Sequence, residues 1–528
     1  VIAVFAGVCA LCACWTLALV VRRSFTAGFA FSCVAAIVIF ALVVFLIRRH
    51  DTRRASSAPT QSASQAPSRD WFKIYLIIQA VSLPCMLFAA RLLMGNICND
   101  YHILFDIALA HVDGQPNPWP FEYGQYPNNH LMLMSMIYLF EAIRAIAPAA
   151  GATTLMWIHV ILNVVCIQIS LFLVANTARV ILGRTQGALC GALMLVCVPF
   201  WINAQNVYSD TVGLLFVACQ LRVVAQIWLH ARDGVRSLAG WVVLLGVFAG
   251  IGFEIKATSA VVMVAVAVCA WFVCTPKRAG AITVGALAAF LACVVCAGAL
   301  VDAVRPADLP YDEAIQDEYK YPYVHWLMMA LNEEGEGAYF EDDYFFTRSF
   351  PTYEAKRAAD EAVLAERLES LGVGGVLRQV TIVKPTTLWG LGALIRTYEL
   401  EALMQSDGVM GRAYPPVIGF AQTWHLLMLT CVTVAAAWLA SRRRQVGEAL
   451  VRFRRGEWES DGERAAATRL VFVLTLFIAA FGLCAFLCGV WEVKPRYLIH
   501  VMPLFVLLAT FGWECVARLV CKKPAAGL

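Results

Sequence analysis

Apolar residues run along this chain in blocks of about twenty, the length at which a helix rising about 1.5 Å per residue crosses the hydrocarbon core of a bilayer. These blocks predict crossings near 2–20, 25–47, 72–95, 154–176, 187–203, 211–229, 237–253, 257–274, 279–302, 416–440, 469–490 and 498–518, about twelve in all. Lys and Arg gather between them in "RRHDTRR" after residue 47, "ARVILGRTQ" at 178–186, "HARDGVR" at 230–236, "TPKR" at 275–278, "SRRRQVGEALVRFRRGE" from 441 and "CKK" at 521–523. All six fall on one side, which the positive-inside bias makes cytoplasmic.

One segment resists that alternation. Counting residues 130–147, "HLMLMSMIYLFEAIRAIA", as a crossing would invert every basic loop after it, and its apolar run stops at Glu141. It is therefore expected to lie in the outer interface rather than to span. The same scheme places Arg22 and Arg23 in an outer hairpin, for which the charge bias gives no reason.

The resulting organisation has a two-helix hairpin at 1–47, a flexible cytoplasmic linker at 48–71 containing "ASSAPTQSASQAPS", and a transmembrane core at 72–302 with an outer loop at 96–153. An outer cap follows at 303–415, with an amphipathic helix expected over 353–371. C-terminal helices at 416–528 enclose a basic cytoplasmic loop at 441–468. Composition agrees: 60% of the 528 residues are hydrophobic and 15% charged, against roughly 25% charged in soluble domains. The net charge of +4 is sorted by membrane side, which argues against nucleic acid as a partner. Most of the 19 cysteines sit inside apolar runs, where Cys acts as a small hydrophobe, and no CxxC pair has a partner at metal-site spacing.

Polar chemistry concentrates in "NDYHILFDIALAHVDGQPNPWPFEYGQYPNNH" at 99–130. Asp100 lies closest to the preceding membrane helix, where an ionisable group is costly unless used. A helix over 99–112 would put His102 and Asp106 on one face and Ile103, Leu104, Ile107 and Ala108 on the other. Pro118, Pro120 and Pro127 stiffen the stretch that follows, in which Tyr126, Asn128 and Asn129 could wall a site. Further outer turns carry Asp210 in "QNVYSDT", Glu254 and Lys256 in "GFEIKATS", and Lys494, Arg496, Tyr497 and His500 in "WEVKPRYLIHVMP". A carboxylate facing cations at headgroup depth suits transfer of a sugar from a lipid phosphate to a hydroxyl, with Asp100 as general base and the cations stabilising the departing phosphate. Direct attack would invert the anomeric centre.

The order of these elements, an outer loop opening on Asp100, then "YGQYPNNHL", then "YSDT", resembles the GT-C superfamily of integral membrane glycosyltransferases. It is most similar to the bacterial branch related to dolichyl-phosphate-mannose protein mannosyltransferases. "GFEIKATS", "YVHWLMMALNEEGEGAYFEDD" and "VKPTTLWGLG" resemble Gram-positive envelope members. The resemblance implies an all-α polytopic bundle of about twelve crossings, with an interfacial helix at 130–147 and a small extracytoplasmic cap. It also implies a catalytic Asp100 and substrate contacts that include His325 and Lys384 in the quoted segments. The implied donor is a polyprenyl-phosphate sugar, and the acceptor an extracytoplasmic glycan, teichoic-acid-like polymer, lipid or protein. Relatives often pair Asp with Glu or Gln where this chain has Asp100 followed by Tyr101. They also differ in metal use, so a divalent cation, Mg or Mn, shared by Asp100 and Asp210 stays open. Two other classes stay open beside this one, a transporter or glycolipid flippase and a non-catalytic envelope assembly protein. Asp342 and Asp343 read as a solvated acidic loop, and Arg396, Glu399 and Glu401 as cap surface or cavity wall.

Overall fold

A computed structural model describes residues 2–56, 70–94, 100–233, 235–395 and 409–521. Residues 57–69 of the linker expected at 48–71, and Arg396, Glu399 and Glu401, lie outside the described residues.

The chain folds as an all-α polytopic membrane protein, with ten helices among the described residues long and apolar enough to span. The early spans lie in α1 (Ile2–Thr26), α2 (Ala30–Ser56) and α3 (Trp71–Leu93). Three short helices follow, α4 (Asp100–Val112), α5 (Pro120–Gln125) and α6 (His130–Ile146), before α7 (Ala152–Ile181). As expected, the helix at 130–147 is not among the ten; it has 17 residues and carries Glu141 and Arg144.

The crossing expected at 187–203 is broken instead. α8 (Arg184–Leu195) and the stretch containing α9 (Val198–Ile202) meet at a bend of 51°. Pro199 stands in the first turn of α9, where its missing N–H costs nothing, and Cys197 just before that helix is extended, so the chain turns there. The pair adds an eleventh span if taken as one. The crossing expected at 257–274 is a shorter apolar piece, Ala257–Val273, ending in α12 (Val261–Val273). These two account for the difference between ten and the expected twelve.

The remaining spans are α10 (Ser209–Leu229), α11 (Val235–Ile255) and α13 (Pro276–Ala303) before the cap, then α19 (Val409–Ser441), α21 (Asp461–Gly489) and α22 (Met502–Val520). Close approach at small residues drives much of their packing, because lipid offers no hydrophobic contrast. At Gly512 a Cβ would sit 1.9 Å from the Cys431 carbonyl oxygen, so α22 and α19 cross nearly backbone to backbone. Arg22 and Arg23, expected in a hairpin loop, sit inside α1.

Between α19 and α21 runs α20 (Arg443–Arg455), whose Val446, Leu450 and Phe453 are buried while arginines line its other side. α21 begins beside this basic helix and is roughly 43 Å long. Its far end therefore lies at the opposite pole of the bundle, under the cap.

The cap holds α14 (Glu313–Tyr319), α15 (Tyr323–Ala330), α16 (Glu341–Arg348), α17 (Tyr353–Arg378) and α18 (Lys384–Trp389). The helix expected at 353–371 continues to Arg378 across a kink at Gly372, whose φ is +56°. Asp343, expected in a solvated loop, is buried; Arg367 donates to both its oxygens at 2.6 and 2.9 Å, and Asn332 donates at 2.9 Å. Trp326 stacks on Trp491 at 5.5 Å, and the Val493 amide donates to the Gly337 carbonyl at 2.9 Å, which docks the cap on the end of α21. α1 supports the cap's base from the other side. Trp15 donates to the Thr381 carbonyl at 2.6 Å, and Gln422 joins Ser24 of α1 to the backbone at Gly390 and Gly392.

Gly512→Ala is expected to lower stability by about 1–3 kcal/mol through overpacking. Gly482→Ala, on α21 with open space around it, leaves stability unchanged; thermal unfolding in detergent compares the two. In the cap, burial pushes the Asp360 carboxyl up to about 6. The folded state thus holds that proton more tightly than the unfolded chain, and the associated stability is lost as pH rises from about 4 through 6. Asp360→Asn removes this loss, so its melting temperature relative to the parent protein should climb as pH is raised over that window.

Candidate active site

Three helix ends and one turn converge beneath the cap. α4 presents Asp100 in its first turn, where the helix dipole favours a carboxylate. Tyr101, Leu104, Phe105, Ile107 and Ala108 bury the inner side of this helix, and Phe105 meets Phe140 of α6 edge-on at 5.5 Å. Asp210 stands in the first turn of α10, Lys256 just past the end of α11, and Arg496 in the 3-10 turn Pro495–Leu498 that precedes α22.

Arg496 sits between the two carboxylates. It donates to Asp100 Oδ2 at 3.2 Å, and its Nε lies 3.9 Å from Asp210 Oδ2. Lys256 donates to the other oxygen of Asp210. Aromatic faces complete the cluster: Lys256 lies 4.7 Å above the Tyr497 ring, Arg496 5.5 Å above Tyr208, and Lys494 4.6 Å above Tyr339. Tyr208 donates to Asn129 Oδ1 at 3.2 Å, and Tyr497 donates to the Glu492 carboxylate.

Exposure separates the members. The Arg496 and Asp210 side chains are 10% and 8% exposed, whereas that of Asp100 is 34% exposed and reachable from outside. Two of the buried Arg496 nitrogens, Nε and Nη1, make no hydrogen bond. Burial pushes the Asp100 carboxyl up, but the charges of Arg496 and Lys494 and the hydrogen bond from Arg496 outweigh it and hold the group below the usual carboxylate range. Burial lowers the Lys256 ammonium, which Asp210 partly offsets, while the two carboxylates hold Arg496 well above its usual value despite burial.

The structure brings Asp100, Tyr126, Asn129, Asp210, Lys256, Arg496 and Tyr497 of the expected residues into this cluster or its wall. Tyr126 lies beside Asp100 and Asn129, lining the same small space. Asn128 is exposed beside Asn129. His102 and Asp106 turn to Trp119: the His102 ring meets the indole edge-on at 5.6 Å, and the indole N–H donates to Asp106 at 3.1 Å. His325 is buried in the cap, 2.8 Å from Thr347 Oγ1, which donates to Asp360 at 2.6 Å. Lys384 is fully buried against Gly337, within electrostatic range of Glu492.

For a shared metal, the donor set does not fit. A guanidinium occupies the position between Asp100 and Asp210, and among the described residues no three His, Cys, Asp or Glu side chains are gathered to hold an ion. Two members went unselected in the sequence, Tyr208 and Glu492. Each lies two to four residues from a chosen position, in "YSDT" and "WEVKPRY", and their signal was a hydrogen-bonding side chain in the same short turn.

Arg496→Met should cost about 3–5 kcal/mol, because it takes from Asp100 its hydrogen-bonded cation and leaves Asp210 with Lys256 alone. Adding Asp210→Asn to it should recover part of that loss, a coupling that denaturation of the single and double variants would measure.

No curated protein matches the chain's sequence. Among solved structures, it is similar to ArnT from Cupriavidus metallidurans bound to undecaprenyl phosphate, at 14% identity over 84% of this chain and 78% of that one, with a TM-score of 0.35. It is also similar to the archaeal oligosaccharyltransferase AglB from Archaeoglobus fulgidus in complex with an inhibitory peptide and a dolichol-phosphate. That similarity is 12% identity over 84% of this chain and 50% of that one, with a TM-score of 0.39. Residues 1–384 match the family model described as conserved hypothetical integral membrane protein, and the chain belongs to that family.

Proposed function

We propose that this protein is a membrane glycosyltransferase of GT-C type that moves a sugar from a polyprenyl-phosphate donor to a hydroxyl acceptor on the extracytoplasmic face. The observation that carries this reading is a buried Arg496, two of whose nitrogens make no hydrogen bond, beside the partly exposed carboxylate of Asp100. Buried donors without partners are rare and point to a ligand that completes them, and a phosphate oxygen is the natural one for a guanidinium.

In this mechanism the donor phosphate takes the free Arg496 donors, with Lys256 and Lys494 adding positive charge nearby. The acceptor oxygen bonds to the anomeric carbon from the side of Asp100. The carbon–oxygen bond to phosphate breaks with its electron pair going to the phosphate, and the hydroxyl proton passes to Asp100. Phosphate is a good leaving group once its charge is met, so one carboxylate suffices and the anomeric centre inverts. Arg496 also couples the two halves. Drawing its guanidinium toward the phosphate weakens the bond to Asp100 and leaves that carboxylate more basic when the acceptor needs it.

Asp100→Asn keeps the shape and removes the base. With purified protein and polyprenyl-phosphate sugars, release of polyprenyl phosphate to added acceptors should fall by about 10²–10⁴-fold in this variant. An unimpaired variant, or a parent protein that releases nothing from any such donor, would overturn the reading.

A further inference from the structure

α17 changes character at its kink. Eight of the nineteen residues from Tyr353 to Leu371 are charged, against one of the eleven from Val373 to Val383. Gly372, at a positive φ that glycine tolerates, sits at the change and lets the apolar half leave the direction of the polar one. The polar half packs into the cap, where its Arg367 holds Asp343. The apolar half runs on helically through the π-turn Gln379–Val383 into α18. One of its faces is bare: Val373 and Leu377 are 80% and 57% exposed, and Thr381, four residues further on, is exposed too. Gln379 turns the other way, is buried, and donates to the Asn332 carbonyl at 3.0 Å.

The level of this stretch is set by α1. Val4, Val8, Leu11 and Trp15 form an exposed apolar stripe along that spanning helix. Trp15 stands at the middle of the 23-residue span Val4–Thr26, roughly 16 Å from its end. Its indole N–H donates to the Thr381 carbonyl, and an indole is much shorter than that distance. Thr381 therefore lies below the outer end of the span, and the lipid-facing stripe of α1 continues into Thr381, Leu377 and Val373.

We infer that residues 373–383 form a second interfacial helix, seated in the outer leaflet with Val373 and Leu377 among lipid acyl chains, so that the cap is held in the membrane surface rather than above it. Eleven mostly apolar residues are too few to cross a bilayer and enough to lie in its interface. Arg378 beside them, 3.7 Å from Glu333, keeps its charge on the cap side. The seat is bonded toward the charge cluster: the Asn332 carbonyl that Gln379 meets also accepts from Gly337, whose own carbonyl accepts from Val493. This inference does not rest on the glycosyltransferase reading.

Full-length protein in nanodiscs is irradiated with phosphatidylcholine bearing a diazirine in its acyl chain, and in parallel with a water-soluble diazirine; labelled peptides are mapped by mass spectrometry. The lipid probe should label residues 373–381 as strongly as the α1 stripe at 4–15 and leave 353–371 at background, and the aqueous probe should do the reverse. Val373→Asp combined with Leu377→Asp should strip the lipid label from 373–381, with the label on α1 unchanged as the check that the bundle is intact. Aqueous labelling of 373–381 in the parent protein would put the face in solvent, and protection from both probes would give it to a protein partner. Either result overturns the inference, as does a double variant that keeps its lipid label.

Discussion

A single guanidinium shared by two carboxylates holds the centre of this protein together. Arg496 reaches Asp100 on α4 and Asp210 on α10 from the turn before α22, so three parts of the chain hundreds of residues apart meet at one charge. Removing such groups from water costs more than their attraction returns unless nearly every donor and acceptor is met. Here they are not all met, and two arginine nitrogens stay bare. The expense fits the anion-binding role proposed for this site, because a fully satisfied cluster would have nothing to offer a phosphate.

How much of this could be read from sequence depended on range. The interfacial character of α6 was legible because Glu141 and Arg144 cut its apolar run short, and α4 because its pattern starts at Asp100. Asp210, Lys256 and Arg496 stood out as charges in short outer turns between apolar blocks, although nothing local said that they touch. The bend at Cys197 was hidden inside an unbroken apolar run, where composition outweighs one proline. Asp343 misled for a different reason. Its acidic neighbours suggest a wet loop, while the Arg367 that buries it lies 24 residues away. His325 illustrates the same gap, since a histidine in a motif says nothing about whether it faces a substrate or Thr347.

The cap and the charge cluster form one mechanical unit. Val493 is bonded to Gly337, Trp491 stacks on Trp326, and Lys494 rests on Tyr339, all within five residues of Arg496. Any movement of the cap is therefore felt at the guanidinium through a very short lever.

α1 acquires meaning from the same arrangement. None of its residues belongs to the cluster, yet Trp15 and Ser24 hold the Thr381 and Gln422 contacts at the base of the cap. A helix at the far rim of the fold, facing lipid on most of its surface, thereby acts as a buttress. The thickness and stiffness of the surrounding bilayer, which set how that helix tilts, reach the charge cluster through it, and the host membrane becomes part of what sets the geometry around Arg496.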